Sequence, residues 1–245
     1  MNNKSINLIA LALLASANVN AADEAKSPWT SSAELGYVAT SGNTNTSTLA
    51  AKFDIAYEVE KWKHTGHAET LQSQTRNATT GQDEKTADNS LVTYQADYKF
   101  TERDYTFGLL SYKADRFSGF EYQAKAVVGY GRKISLREAM KLNLEAGAGD
   151  RKYKPDNMAS EYDPFIYLAA KYLWDITSTS KFTEDLTADF GDKQDEWRSV
   201  TALSAKINTS LSMKLSYTVD YLDVVPPGNN NYNRETAVTL VYAFQ

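Results

Sequence analysis

Thr48-Leu49-Ala50-Ala51-Lys52-Phe53-Asp54-Ile55-Ala56-Tyr57-Glu58-Val59-Glu60 decides the fold class. Leu49, Ala51, Phe53, Ile55, Tyr57 and Val59 fall on one parity, while Lys52, Asp54 and Glu58 fall on the other. A period of two puts alternate side chains on opposite faces of a sheet, so this is a strand with one apolar and one charged face. A soluble sandwich contains such strands too, and the choice between sandwich and membrane barrel rests on the rest of the chain.

Working outward, the same period marks segments near 29–40, 46–60, 62–75, 89–100, 104–117, 120–134, 138–152, 162–175, 181–191, 196–208, 210–223 and 234–244. Most exceed the roughly five or six residues of an ordinary strand and reach the ~9–11 needed to cross a bilayer at a tilt. Tight connections at Lys61-Trp62, Thr101–Arg103, Ser135–Arg137, Thr177–Ser180 and Thr209 alternate with polar ones. The polar ones are Ser41–Asn45, Arg76–Asp88, Ser118-Gly119, Tyr153–Glu161, Asp192–Asp195 and Val225–Asn233. An even strand number with connections alternating in kind predicts an all-β transmembrane antiparallel up-and-down barrel of about 12 strands. Its tight turns would face the periplasm and its longer loops the outside.

The apolar parity carries aliphatic residues between aromatic ends. Tyr57, Trp62, Tyr98, Phe100, Tyr105, Phe107, Tyr130, Trp174, Phe182, Tyr242 and Phe244 stand near the short turns, and Tyr37, Phe117, Phe120, Tyr122, Phe190, Trp197 and Tyr221 near the long loops. Two aromatic belts around an aliphatic band are expected where a barrel meets both membrane interfaces. Gly66, Ala68 and Thr70 make the third strand the weakest such face. Leu215→Arg or Val128→Arg should therefore impair assembly, and Lys125→Gln should be tolerated.

The opposite parity is charged. Lys52, Asp54, Glu58, Asp97, Lys99, Lys125, Lys141, Glu145, Lys171, Asp189, Arg198, Lys206, Lys214 and Asp220 are expected to line the lumen, together with Glu69, Lys113 and Asp185. Charge facing hydrocarbon near the midplane costs several kcal/mol, which forces these residues inward. The signs nearly balance. Two readings follow: a salt-bridged filling that holds the barrel together, or a charged solute path.

Residues 1–21 form an address segment: Lys4, an apolar run from Ile6 to Ala17, small Val19 and Ala21, then Ala22-Asp23-Glu24. This predicts a secretory signal peptide cleaved after Ala21, leaving 22–245 as the barrel. Composition excludes other classes. With 26 basic against 31 acidic residues and a net charge of −5, the clustered basic excess of a nucleic-acid binder is missing. Zero Cys removes thiol catalysis, disulfides and Cys-based zinc sites.

Only His64 and His67 are available as imidazole bases, near the turn assigned to the periplasm, so a Ser-His lipid hydrolase is disfavoured and no catalytic residue is expected. Ser73 and Glu69 share that strand but offer a poor triad. Acidic groups at Asp83, Glu84 and Asp88, at Asp156, Glu161 and Asp163, and at Asp192, Asp195 and Glu196 read as solvated loops, without EF-hand spacing, and no metal or cofactor is expected. Arg151, Lys152 and Lys154 form a basic cluster near the outer rim that would suit lipid-A phosphates. The expected partners are outer-membrane lipids, lipopolysaccharide and the barrel assembly machinery.

Gly36-Tyr37-Val38-Ala39-Thr40-Ser41-Gly42-Asn43-Thr44 resembles the opening hairpin of the salt-induced outer-membrane protein family, the YdiY-like proteins of Gram-negative bacteria. Asp115-Arg116-Phe117-Ser118-Gly119-Phe120, with Gly129-Tyr130-Gly131-Arg132, resembles its central hairpin, and Gly147-Ala148-Gly149-Asp150-Arg151-Lys152-Tyr153 its next strand. The resemblance implies an outer-membrane barrel of uncharacterised activity, linked by name to a salt response, with no catalytic residues to carry over. Gln245 follows Phe244, whereas such barrels usually end on an aromatic residue. The readings left open are a structural barrel or narrow channel, a lipid-modifying enzyme, and a loop-based binder.

Overall fold

A computed structural model describes residues 27–40, 45–77, 80–116, 120–155, 159–225 and 230–244. The signal segment, the Ser41–Thr44 turn, Phe117, Ser118-Gly119, Asp156 and Gln245 lie outside the described residues. The strands are β1 (Trp29–Thr40), β2 (Asn45–Val59), β3 (Trp62–Arg76), β4 (Asp83–Lys99), β5 (Asp104–Asp115), β6 (Phe120–Arg137), β7 (Met140–Pro155), β8 (Glu161–Asp175), β9 (Ser180–Gly191), β10 (Asp195–Lys206), β11 (Leu211–Leu222) and β12 (Tyr232–Phe244). Each pairs antiparallel with its sequence neighbours, and β1 closes the ring against β12. Closure leaves no unpaired edge, which a strand protein in hydrocarbon requires.

Local chemistry sets the short turns. Thr101 Oγ1 accepts from the amides of Arg103 and Asp104, and Thr177 Oγ1 from those of Thr179 and Ser180. Asn208 Oδ1 does the same for Ser210 and Leu211. Such side-chain caps hold a turn without help from the strands. The largest departure from the sequence reading is β4, which begins at Asp83 rather than 89 and turns the acidic Asp83, Glu84 and Asp88 from loop into strand. Lys85 and Arg116 both reach Asp88, at 2.8 and 3.5 Å, which neutralises that extension.

The faces follow the period-two pattern. Val128, Leu110, Ile166, Leu215, Val238 and Leu240 are exposed on the outer wall. At the short-turn end, rings pair as Trp29 with Tyr57, Trp62 with Tyr98 and Tyr242 with Phe244. At the long-loop end Tyr112 stacks on Tyr122, and Trp197, Tyr221 and Tyr232 form a second group. Gly66, Ala68 and Thr70 do face outward, opposite Ile55, Phe53 and Ala51. Outward charges not foreseen include Asp150, exposed on β7, and Glu184, which accepts from the hydroxyls of Ser199 at 2.6 Å and Thr201 at 2.5 Å, bonds that mask part of its polarity.

Three aromatic assignments are overturned. Tyr105, Phe107 and Phe120 were expected in the outer belts, but they are 2%, 3% and 8% exposed and point inward. Tyr105 and Phe107 join Val127, Phe165, Tyr167 and Ala169, with Leu109 beside them, in an apolar cluster inside the barrel on β5–β8. Phe120 packs edge-on against Tyr153 nearer the loops.

Glycine makes the room. A Cβ on Gly131 would run into the Tyr105 ring, and one on Gly129 would lie 2.6 Å from Phe107 Cζ. Gly131→Val is therefore expected to lower stability by about 1–3 kcal/mol, the usual cost of overpacking. Gly108→Ala, on the outer wall with nothing within 4 Å of its Cβ, is the control. Equal denaturation midpoints for the two variants in micelles would refute this packing.

Candidate functional site

The interior has two unlike walls. Aromatic rings fill the side made by β5–β8, and the remaining strands present charge. Every sequence-predicted lumen residue lies on the inward parity, and the structure sorts them into groups.

Near the long loops, Arg151 and Asp163 are both 0% exposed, and Arg151 Nη2 donates to Asp163 Oδ2 at 2.6 Å and to the Gln194 carbonyl at 2.5 Å. Arg151 Nη1 lies 3.0 Å from Glu196, which also pairs with Lys125. Lys125 donates to Asp189 at 2.6 Å, and both cations sit over the Phe165 ring. This network ties β6, β7, β8, β9 and β10 together and folds residues 192–194 over the rim. Lys193 donates to Glu161 at 2.8 Å, and that hydrogen bond raises the Lys193 ammonium above its ordinary value.

The rim cluster expected from Arg151, Lys152 and Lys154 does not exist. Arg151 is inside, Lys152 lies over the Tyr162 ring, and Lys154 pairs with Glu121 at 2.6 Å. Alternation separates position 151 from 152 and 154. Tolerance of Lys125→Gln is likewise withdrawn, because it would leave Asp189 and Glu196 without their shared cation.

At mid-barrel, Glu145 receives Tyr105 Oη at 2.8 Å, Tyr167 Oη at 3.3 Å, Gln95 Nε2 at 3.0 Å and Lys171 Nζ at 3.3 Å. Gln95 also donates to Asp97, so the aromatic wall is anchored to a polar one. Opposite, Arg198 on β10 reaches Glu69 on β3 at 2.6 Å while holding Asp220 at 3.1 Å. Lys52 lies 3.3 Å from Glu69. β3 and β10 are separated by most of a half-ring, so the Arg198–Glu69 bridge spans the bore. His67 sits between Asp54 at 2.7 Å and Glu69 at 3.5 Å, and His64 faces outward, 2.8 Å from Tyr94 Oη.

Glu58 and Lys99 pair at 2.9 Å towards the short turns. Lys141 is exposed beside its turn, and Lys206 lines the lower space without an ion pair among the described residues. The sequence reading missed Glu34. It is 5% exposed, accepts from Thr239 Oγ1 at 2.7 Å and pairs with Lys214 at 2.9 Å, locking the β1–β12 seam from inside. Its signal was available, since Ala33, Leu35 and Tyr37 alternate around it.

Among the described residues this framework leaves space in at least three places. Two contiguous cavities of about 230 and 250 Å³ lie towards the long loops and share Leu91, Lys113, Arg198 and Asp220. A third, of about 310 Å³ and lined by Glu34, Asp54, Lys181, Ser204, Lys206 and Lys214, lies towards the short turns. Glu69 lines the upper space and Asp54 the lower, with His67 linking them. Among the described residues no group of three or more His, Asp or Glu side chains is arranged to hold a metal ion.

Comparison with known proteins agrees with this architecture. The profile of a family described as "Protein of unknown function, DUF481" matches residues 33–244. The uncharacterized protein YdiY of Escherichia coli (strain K12) is 28% identical over 222 residues, covering 89% of this chain and 84% of that protein. The NanC porin superposes with a TM-score of 0.54 at 10% identity, covering 88% of this chain and 100% of that one. The translocator domain of the autotransporter NalP from Neisseria meningitidis gives 0.50 at 10% identity, covering 91% and 90%. At such identities the likeness is one of fold: a closed barrel of outer-membrane type.

Proposed function

The chain belongs to the DUF481 family, and from that premise we propose a non-catalytic barrel of the Gram-negative outer membrane whose interior is a narrow path for small solutes. The observation that carries this is the division of the bore: among the described residues, chambers above and below are separated by side chains, the Arg198–Glu69 bridge among them, and not by backbone. A purely structural filling would have no reason to keep polar space at both ends of a charged belt. The salt bridges still hold the barrel together, so both roles expected of the charged lumen fall to the same residues. Export with cleavage after Ala21, short turns in the periplasm, contacts with lipopolysaccharide and delivery by the assembly machinery belong to this reading, and so does a role under salt stress. Against catalysis, His67 engages two carboxylates and His64 a tyrosine hydroxyl, and among the described residues neither ring is bonded to a serine.

The test is conductance of the refolded protein in planar bilayers. The wild type is expected to show small unit steps. Arg198→Ala removes the bridge while Lys52 stays beside Glu69, and Asp220, which loses its cation, is about a quarter exposed to the chamber, so the barrel should fold with reduced stability and the steps should grow. Steps unchanged by Arg198→Ala, or none in either protein, would defeat the channel reading.

A further inference from the structure

Nearly every charge lining the upper cavities has a partner. Lys52 and Arg198 share Glu69, Arg198 also holds Asp220, Lys125 holds Asp189 and Glu196, and Lys171 holds Glu145. Arg234 lies over the Tyr232 ring. Asp115 lines the smaller cavity as well and is also engaged. Two residues stand apart. Lys113 on β5 and Glu235 on β12 both line the 230 Å³ cavity, and neither has an ion pair or hydrogen bond among the described residues. Their strands stand on nearly opposite walls of the ring, so one cation and one anion face a common space from two sides.

We propose that this upper chamber is a binding site for small zwitterions of the amino-acid or betaine class, the solute's carboxylate meeting Lys113 and its ammonium meeting Glu235. The inference rests on reading the interior as a solute path and names what that path prefers. The size is consistent: about 230 Å³ lies below the roughly 300–1,000 Å³ of sites for drug-sized ligands, which limits the occupant to a small molecule. The charge is consistent as well. A free anion would gain Lys113 but meet Glu235, a free cation would meet the reverse, and only a solute carrying both signs satisfies both without repulsion. Leu91, Ala50 and Leu71 add apolar surface for the connecting carbons.

Four solutes of nearly one shape test this: alanine, lactate, 1-amino-2-propanol and 1,2-propanediol. Binding to the full barrel in micelles is measured by equilibrium dialysis, and passage by swelling of liposomes containing it. Alanine should bind about tenfold more tightly than any of the other three, the effect expected when one partly solvated charge loses its partner. Glu235→Gln should remove the advantage over lactate, and Lys113→Gln the advantage over 1-amino-2-propanol. The exchanged pair Lys113→Glu with Glu235→Lys should keep alanine preferred, which separates charge recognition from misfolding. Equal binding of all four solutes, or an alanine advantage untouched by either single variant, would overturn the proposal. Unselective passage would overturn it while leaving the channel standing. Selective binding without passage would support the site and overturn the channel.

Discussion

Arg151→Met is expected to destabilise the barrel by about 3–5 kcal/mol, the cost of removing one member of a buried charge group and leaving its partners uncompensated. Asp163 is as inaccessible as Arg151, and Glu196 would be left sharing Lys125 with Asp189. The Gln194 carbonyl would also lose its donor, so residues 192–194 should loosen over the rim. Equilibrium unfolding in denaturant, followed by tryptophan fluorescence in micelles, measures the loss. The double replacement Arg151→Met with Asp163→Leu should recover part of it, because two apolar groups of similar shape avoid the unpaired charge. Lys154→Gln breaks a pair whose side chains are 34% and 45% exposed and should stay within about 0.5 kcal/mol of wild type. A loss below about 1 kcal/mol for Arg151→Met would show that water reaches the site and that the network is not the barrel's upper clamp.

Much of this molecule is legible in its sequence because a barrel wall has a period of two, and that period survives in the residue order. Leu49, Phe53 and Tyr57 against Lys52, Asp54 and Glu58 separate the faces of β2 without any coordinates. The failures arise where chemistry was allowed to outvote parity. Tyr105 and Phe107 were placed in the outer belt because they are aromatic and near a turn, although Lys113, placed inside, has the same parity on the same strand. What makes the inner position possible is Gly129 and Gly131 on the next strand, and that link appears only once the register pairs Tyr105 with Gly131 and Phe107 with Gly129. Phe120 lies next to an irregularity between Phe120 and Tyr122, where parity itself breaks.

The candidate site was legible as a face and not as an arrangement. Which cation meets which anion depends on strands distant in sequence. Arg198 finds Glu69 across 129 positions, and Lys214 finds Glu34 across 180. No local pattern encodes those pairings, and the unpaired state of Lys113 and Glu235 becomes visible only after the others are assigned.

Val128→Arg and Leu215→Arg test the other side of the wall and should each cost about 2–4 kcal/mol, the penalty for a guanidinium facing hydrocarbon near the midplane. Val128 is 70% exposed in the isolated chain and stands directly opposite Gly108 and Ala148, neither of which can pair with a new cation. Leu215 pairs with Leu203 and Val238 in a row that is aliphatic throughout. The informative control is Ser204→Arg. Ser204 follows Leu203 directly but faces the lower chamber among Glu34, Asp54 and Lys214, where water and carboxylates receive a new cation. Folding yield into lipid vesicles, read from the mobility difference between folded and unfolded chain on a gel, should fall for the two outward variants and hold for Ser204→Arg. Equal yields at both parities would mean that hydrocarbon does not cover this wall. The exposed aliphatic band would then need protein to bury it, and the alternation that organises every strand would describe a subunit interface in place of a membrane one.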